Sequence, residues 1–553
     1  MDVDLFLMKT CSYRGAQPRI ANEKSLFCLS KAQARYGMTR WNQLSCCLCY
    51  PSYKLIYRQH QPIVQFGSHQ QYTFITGYRS ILNCPATCIV FGTELLKAQI
   101  NKQLPLSTDS DQLDSWISSP VPIYVQFWLW ECVNVDEVVQ QGLKPMLIQH
   151  GPFTYLKRRV KIDVHFNLNH TVSYHQPVSY TFQRNMSSND EELPIKMMNT
   201  SIISLLALSH NLSNITHELI NLIAKVFNES LFVTHTAREW IWGYEDPLLK
   251  AAKRLPIVGQ FVPDDHFGYF YRQNNTDNGI FTVFTGEDDI NRLNYIDKWN
   301  DISVLPYWHT PSCNQINGTD GNWFPPLTSV NKRLYLYSTE ICRSIYITFE
   351  YHSSVLNIET ESFSIPAEVF YNGTINPDNV GFGTLDSGVL DVSKCKQDAP
   401  IIISLPHFLY AAKRYKSRIN GLMPNADIHR TVLEIEPFTG YVLNAQKRLQ
   451  LNILIQYDPL FDDLKNLHDL ILPALWLNQS GTIDQKTANE LHKKVLRYFP
   501  IVHGISIAFV IFGVVSITVI IIVRIRRSLP RIRSLAYRGL VNEQPSPSSD
   551  AGH

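Results

Sequence analysis

The 553-residue chain predicts an α+β, β-rich domain joined to a C-terminal transmembrane helix. Three observations carry that prediction. From about Leu104 to Tyr498, short runs alternate apolar and polar residues, as in VPIYVQFWLW (121–130), VSYTFQR (178–184) and SIYITFEY (344–351). They are rich in Val, Ile, Tyr and Phe and are broken by Asn, Gly, Asp and Pro, the pattern of antiparallel strands with one buried face. One stretch, 202–232, has helical periodicity instead. Near the end, Gly504–Val523 contains no charged residue. At a rise of about 1.5 Å per residue it covers roughly 30 Å, one hydrocarbon core.

The elements follow in chain order. Residues 1–100 read as an atypical N-terminal region whose first membrane helix is degraded or missing. MDVDLFLMKT lacks the basic start and apolar run of a signal peptide, and SILNCPATCIVFGT (80–93) is too short to span and contains Pro85. Seven of the 11 cysteines fall in the first 90 residues, and only Cys132, Cys313, Cys342 and Cys395 lie in the next segment. Cys46, Cys47, Cys49, Cys84 and Cys88 lack the spacing and histidines of a zinc site.

Residues 101–500 read as a glycosylated luminal or extracellular domain. Asn-X-Ser/Thr sites stand at Asn169, Asn185, Asn199, Asn211, Asn214, Asn228, Asn274, Asn317, Asn372 and Asn478, all before the apolar helix. Ten sites confined to one side fit an exported surface, with several left unused. Residues 501–523 form the membrane helix and 524–553 a basic cytosolic tail. Arg524, Arg526, Arg527, Arg531, Arg533 and Arg538 fix that orientation, because basic residues stay cytoplasmic during insertion.

The formal charge is +2, and the tail carries six Arg against Glu543 and Asp550, or +4; the rest is therefore about −2. This gives no reason to expect a nucleic-acid partner. Lys157, Arg158, Arg159 and Lys161 cluster locally; the expectation is a solvated strand face or a patch for an anionic ligand. The helical stretch carries one apolar stripe, Ile215, Leu219, Leu222, Ile223, Val226 and Phe227. Such a stripe ordinarily packs on its own domain. The sharper reading makes these six residues a ligand-binding face for a partner or a membrane. Asn214, Glu218, Asn221 and Lys225 lie opposite, where glycans on Asn214 and Asn228 would obstruct a protein.

Catalytic signatures are absent: no Gly-X-Ser-X-Gly elbow, phosphate loop or dinucleotide fingerprint occurs. HELIN at His217 begins like a zinc motif, but Asn221 replaces the second histidine. Asp288 and Asp289 read as a solvated turn. His210, His217 and His235 are ordinary histidines or, on the sharper reading, acid sensors. No enzyme activity, cofactor or metal is expected.

Several segments together resemble the class B scavenger receptor family, and within it the lysosomal integral membrane branch. They are GPFTYLKRR (151–159), LFVTHTAREWIWGYEDPLL (231–249), FTGEDD (284–289), KWN (298–300), INGTDG (316–321), ICRSIYITFE (341–350), PAEVF (366–370), GVLDVSKCK (388–396) and EPFTGYVLNAQKRLQLN (436–452). Their order and spacing, over roughly Leu113–Val523, carry the resemblance. It implies an irregular antiparallel β-barrel with an apical helical bundle and a lipid tunnel. It also implies a Cys342–Cys395 disulfide, with Cys313 unpaired.

Two departures stand out. The family has a membrane helix at each end, and the first should end near FGTELLKAQI (91–100); residues 1–88 read as an alternative 5′ exon product. The tail also lacks the acidic dileucine signal of the lysosomal branch, which favours the cell surface or endosomes. The function implied is a membrane scavenger receptor that binds lipid or lipoprotein and moves cholesterol, fatty acid or phospholipid through the tunnel. The alternative is a sorting receptor that carries a luminal hydrolase on its apical helices. That branch carries β-glucocerebrosidase, but the helix sequence differs here. Homo-oligomers are compatible with either reading.

Overall fold

The computed structural model describes residues 92–541, except 211–213, 257 and 328, with side chains as far as Arg527 apart from His210. The expectations for residues 1–88, for Asn211 and for the His210 side chain lie outside the described residues.

One antiparallel sheet of 11 strands dominates. Its main path uses β1 (Ile123–Cys132), β2 (Leu147–Arg159), β3 (Val178–Phe182), β4 (Leu334–Ser338), β5 (Arg343–Val355), β6 (Ile358–Ser364), β7 (Val432–Ile435), β8 (Val442–Ile455) and β9 (Leu470–Thr482). The spatial order is β4-β5-β6-β7-β8-β9-β1-β2-β3, with Val389–Asp391 and Ile401–Ser404 joined beside β8. The predicted alternation holds in β1. Ile123, Val125, Phe127 and Leu129 are buried on one face, while Trp128 on the other stacks on Trp476 at 3.7 Å. The path has two free ends, and none of the sheets closes on itself. A second sheet runs Ile296–Trp299, Ile280–Phe284, Thr171–His175, Ile162–Asn167.

The helices pack into separate cores, two of them large. Helix α1 spans 92–103. The pair α2 (Thr200–His210) and α3 (Asn214–Val226) is framed by the short strands Pro194–Met198 and Phe232–Thr236. Ile202, Leu205 and Leu206 of α2 and Ile220 and Ala224 of α3 join one core, with fully buried Trp240 beneath them. The other core takes in Ile100 of α1, Leu104, Trp116 and Phe499.

Phe499 lies in the first turn of α4, Tyr498–Val541, which begins before the predicted span and continues past Arg527. From Gln485 to Arg527 the helical run is long and apolar enough to cross a membrane. Its side chains face outward, with Phe509 and Phe512 well exposed, as lipid contact requires. At Gly92 a Cβ would come within 2.7 Å of Val502 Cγ1 and 3.4 Å of Ser506 Oγ. Glycine thus lets α1 approach the foot of α4 closely.

Candidate functional site

Two cavities lie inside the β-rich domain. The first, about 180 Å³, is lined by apolar side chains including Val125, Leu336, Ile345, Leu433, Leu449 and Leu477. The second, about 570 Å³, reaches Leu491, Val495 and Tyr498 at the foot of α4. Arg159, Gln176 and Asp320 line both, so the cavities adjoin at these residues.

The junction is charged. Strand alternation turns Lys157 and Arg159 inward and leaves Arg158 outside, which corrects the expectation of one solvated basic face. Lys157 on β2 donates from Nζ to Gln479 Oε1 at 2.9 Å, and Gln479 on β9 is in register with Lys447 on β8. Lys447 Nζ donates to the backbone carbonyl of Asp320 at 3.0 Å. Arg159 donates to Asn322 Oδ1. Lys161 Nζ donates to Trp116 O at 2.6 Å and sits 4.4 Å from the Trp116 ring centroid, a cation–π contact. Asp320 and Glu340 supply the opposing charge.

Burial disfavours the ammonium form, so Lys157 and Lys161 each fall to about 8; Lys447 is lowered for the same reason. Burial pushes the two carboxyls upward, but nearby cations outweigh it. Asp320 is held down by Arg159, Lys161 and Lys447, and Glu340 by Lys157 and the Ser338 hydroxyl.

Helix α3 presents the surprise. The apolar stripe does not pack on its own domain. Ile215 is 79 % exposed, Leu222 59 % and Val226 74 %, and Leu219 and Phe227 are also exposed; only Ile223 rests against the core. The buried face holds Thr216, His217, Ile220, Asn221 and Ala224. Periodicity shows that a helix has two faces, but the inner face here is fixed by polar contacts that it does not register. His217 Nε2 lies 3.0 Å from Asp458 Oδ2, in the loop between β8 and β9, and its Nδ1 lies 2.6 Å from Ser209 Oγ. The same loop binds the Leu231 amide through Asp463 Oδ2 at 2.8 Å. Leaving a buried polar group without its partner costs about 1–3 kcal/mol. Asp458→Ala is therefore expected to loosen α3 before the rest unfolds, checked by hydrogen exchange at residues 214–226; unchanged protection there refutes the clamp.

The other histidines stand apart. His235 stacks on Tyr244 at 3.6 Å, and burial lowers its pKa. A pair that sequence reading missed, His407 and His429, stacks at 4.1 Å beside Trp476. Both Nδ1 atoms accept backbone amides, from Met423 and Asn425 at 3.0 Å each. That pattern leaves the proton on Nε2, and His407 Nε2 donates to Gln149 Oε1 at 3.1 Å. Burial lowers both, His407 to about 3 with help from His429, and His429 to about 4 with help from Arg448.

Cys342 and Cys395 are joined, with Cα atoms 6.5 Å apart, while Cys313 and Cys132 are free and buried. Asp288 and Asp289 lie in a surface turn, with Asp289 accepting the Asn291 amide at 3.0 Å. Among the sequons, Asn169, Asn185, Asn214, Asn228, Asn274 and Asn317 are exposed and Asn372 is half-buried. Asn478 is buried on β9 against Gln126. Asn199 is 2 % exposed, and its Nδ2 donates to Glu229 Oε2 at 2.7 Å. A glycan has no room there. Site mapping after peptide-N-glycosidase F is expected to find Asn199 unmodified and Asn169 occupied; an occupied Asn199 contradicts this packing.

These features define a class: a disulfide-linked, β-rich ectodomain hollowed by adjoining cavities and anchored by an apolar helix. Residues 80–524 match the model of the CD36 family. Lysosome membrane protein 2 of Rattus norvegicus is 36% identical over 424 residues, covering 75% of this chain and 86% of the relative. The Homo sapiens protein of that name is 36% identical over 405 residues, covering 72% and 82%. Scavenger receptor class B member 1 of Bos taurus is 32% identical over 444 residues, covering 79% and 86%. The chain belongs to the CD36 family, the class B scavenger receptors. It is an integral membrane protein of receptor type, in the plasma membrane or the endosomal–lysosomal membranes, with its ectodomain luminal or extracellular.

Proposed function

We propose that this receptor binds lipid or lipoprotein and passes lipid (cholesterol, fatty acid or phospholipid) through its ectodomain to the membrane. The single supporting observation is the pair of adjoining cavities, the larger of which reaches the foot of α4. On this reading the main sheet supplies part of the wall of a tunnel. The named relatives include scavenger receptors, which accords with a receptor rather than an enzyme.

Leu477→Trp tests the tunnel, because it fills the first cavity with an indole. Cells expressing the variant should bind lipoprotein as before and lose most uptake of labelled cholesterol. Unchanged uptake refutes the tunnel.

The outward stripe of α3 favours a second reading, a sorting receptor for a luminal hydrolase. Contiguous exposed apolar residues mark interaction surfaces. Leu222→Asp with Val226→Asp should abolish hydrolase co-purification and spare lipid uptake. If co-purification persists, the stripe is not the docking face. Loss of a dimer in sedimentation would instead assign it to a second copy of this chain.

A further inference from the structure

We propose that Asn317 carries an N-glycan whose inner N-acetylglucosamine units lie in a cleft of this same chain, packed on the rings of Tyr295 and Tyr335. The proposal is independent of the lipid-path reading.

The first argument is the cleft. It measures about 500 Å³ and is bordered by Tyr295, Asp297, Ser303, Tyr335 and Asn317 itself. Sites that hold small molecules run from about 300 to 1,000 Å³. The Arg292 guanidinium already lies over the neighbouring Phe284 ring, 3.4 Å from its centroid. The rings left to receive a sugar are Tyr295 and Tyr335, both half-buried. Burial, with Tyr335 nearby, raises the pKa of the Tyr295 phenol, so this platform stays uncharged. The C–H groups on one face of a sugar ring pack on the electron-rich face of such an aromatic ring. Asp297 and Ser303 offer polar partners for the hydroxyl and acetamide groups.

The second argument is how the attachment point is held. Asn317 N donates to Ser344 Oγ at 2.7 Å, and Ile296 N donates to Gly318 O at 2.8 Å. Thr319 N donates to Tyr335 O at 3.2 Å, and Tyr337 N donates back to Thr319 O at 2.8 Å. The sequon is thus bonded to the strand Ile296–Trp299 on one side and to β4 and β5 on the other. Gly318 takes φ +85°, and a Cβ there would collide with Tyr335 O. Thr319 is fully buried, yet the Asn317 side chain is exposed at the cleft. A glycan here starts from a fixed origin beside two aromatic rings. Asn169 makes the contrast: it tops the turn between Ile162–Asn167 and Thr171–His175, beside fully exposed Leu168.

The third argument is the tether. A sugar stacked on tyrosine binds weakly when free, but a short tether holds it at a local concentration of order millimolar. Where that concentration exceeds the dissociation constant about tenfold, the sugar is undocked for roughly one-tenth of the time. A docked glycan would also shield β4, one of the two free ends of the main path.

The test treats the full, folded chain in detergent with peptide-N-glycosidase F and reads release site by site, as conversion of Asn to Asp in peptide maps. Asn317 is expected to be released about tenfold or more slowly than Asn169, and the two rates should converge after denaturation. Tyr295→Ser removes one ring and should abolish most of the delay, while Tyr295→Phe keeps the ring and should retain it. Ser303→Leu narrows the cleft from an exposed position and should also speed release, without disturbing the core.

An unmodified Asn317 overturns the proposal, as does wild-type release at Asn317 as fast as at Asn169. A delay that persists unchanged in both Tyr295→Ser and Ser303→Leu overturns it too, because the backbone alone would then shield the linkage. Faster release in either variant, with the delay kept in Tyr295→Phe, assigns the glycan to the cleft.

Discussion

Replacing Cys342 and Cys395 together by alanine is expected to destabilise the ectodomain by about 4 kcal/mol. The bridge closes a separation of 53 residues, and closing a loop of that size removes conformational freedom from the unfolded chain. It also ties the start of β5 to the turn after Val389–Asp391, so the outer end of the main sheet is fastened to the strands beside β8. Trp308 Nε1 donates to Cys342 O at 2.8 Å and packs the bridge into the core. The free, buried Cys313 is the control. Cys313→Ala is expected to cost no more than about 1 kcal/mol. Urea unfolding followed by tryptophan fluorescence separates the two, and a double variant no weaker than Cys313→Ala would rule the bridge out as a structural tie.

The parts of this architecture that sequence made legible are those written in local periodicity. Alternation in 121–130 located β1 and its buried face, and an uncharged run located α4. Pairing between distant strands leaves no such mark. Lys157, Asp320, Glu340 and Lys447 are far apart in the chain, and the sheet brings them together only because Lys447, Gln479 and Val125 align across β8, β9 and β1. The cluster at 157–161 was visible, but which charges face the cavities depended on strand alternation in β2. Helix α3 illustrates the converse. Its stripe was plain, yet a histidine, an asparagine and a threonine face inward because Asp458 and Ser209 are waiting for His217.

The second large effect is acid sensitivity. Between pH 7 and pH 5, His407 and His429 are expected to cost the fold roughly 2 kcal/mol each. Both have folded-state pKa values below the ordinary 6.5, at about 3 and about 4. The unfolded chain therefore binds protons that the folded chain refuses. Stability from this pair is full above 6.5, falls as the pH drops through 6.5 toward the folded values, and is lost below them. The cause is geometric: protonation would destroy two Nδ1 acceptor bonds and place like charges 4.1 Å apart. His429→Asn keeps an acceptor for the Asn425 amide without a titrating ring. It should roughly halve the shift in urea midpoint between pH 7 and pH 5. The same shift in variant and wild type would exclude His429 as a contributor.

One hairpin connects everything that matters here. Val442 borders the cavity beside α4, Lys447 stands at the charged junction of the two cavities, and Asp458 clamps α3, all on β8 or the loop that follows it. The 14 residues of β8, zipped to β9 almost throughout, form a stiff lath about 45 Å long. Asp458, which holds α3, follows closely on the end of β8, so α3 and the charged junction are tied to the same strand.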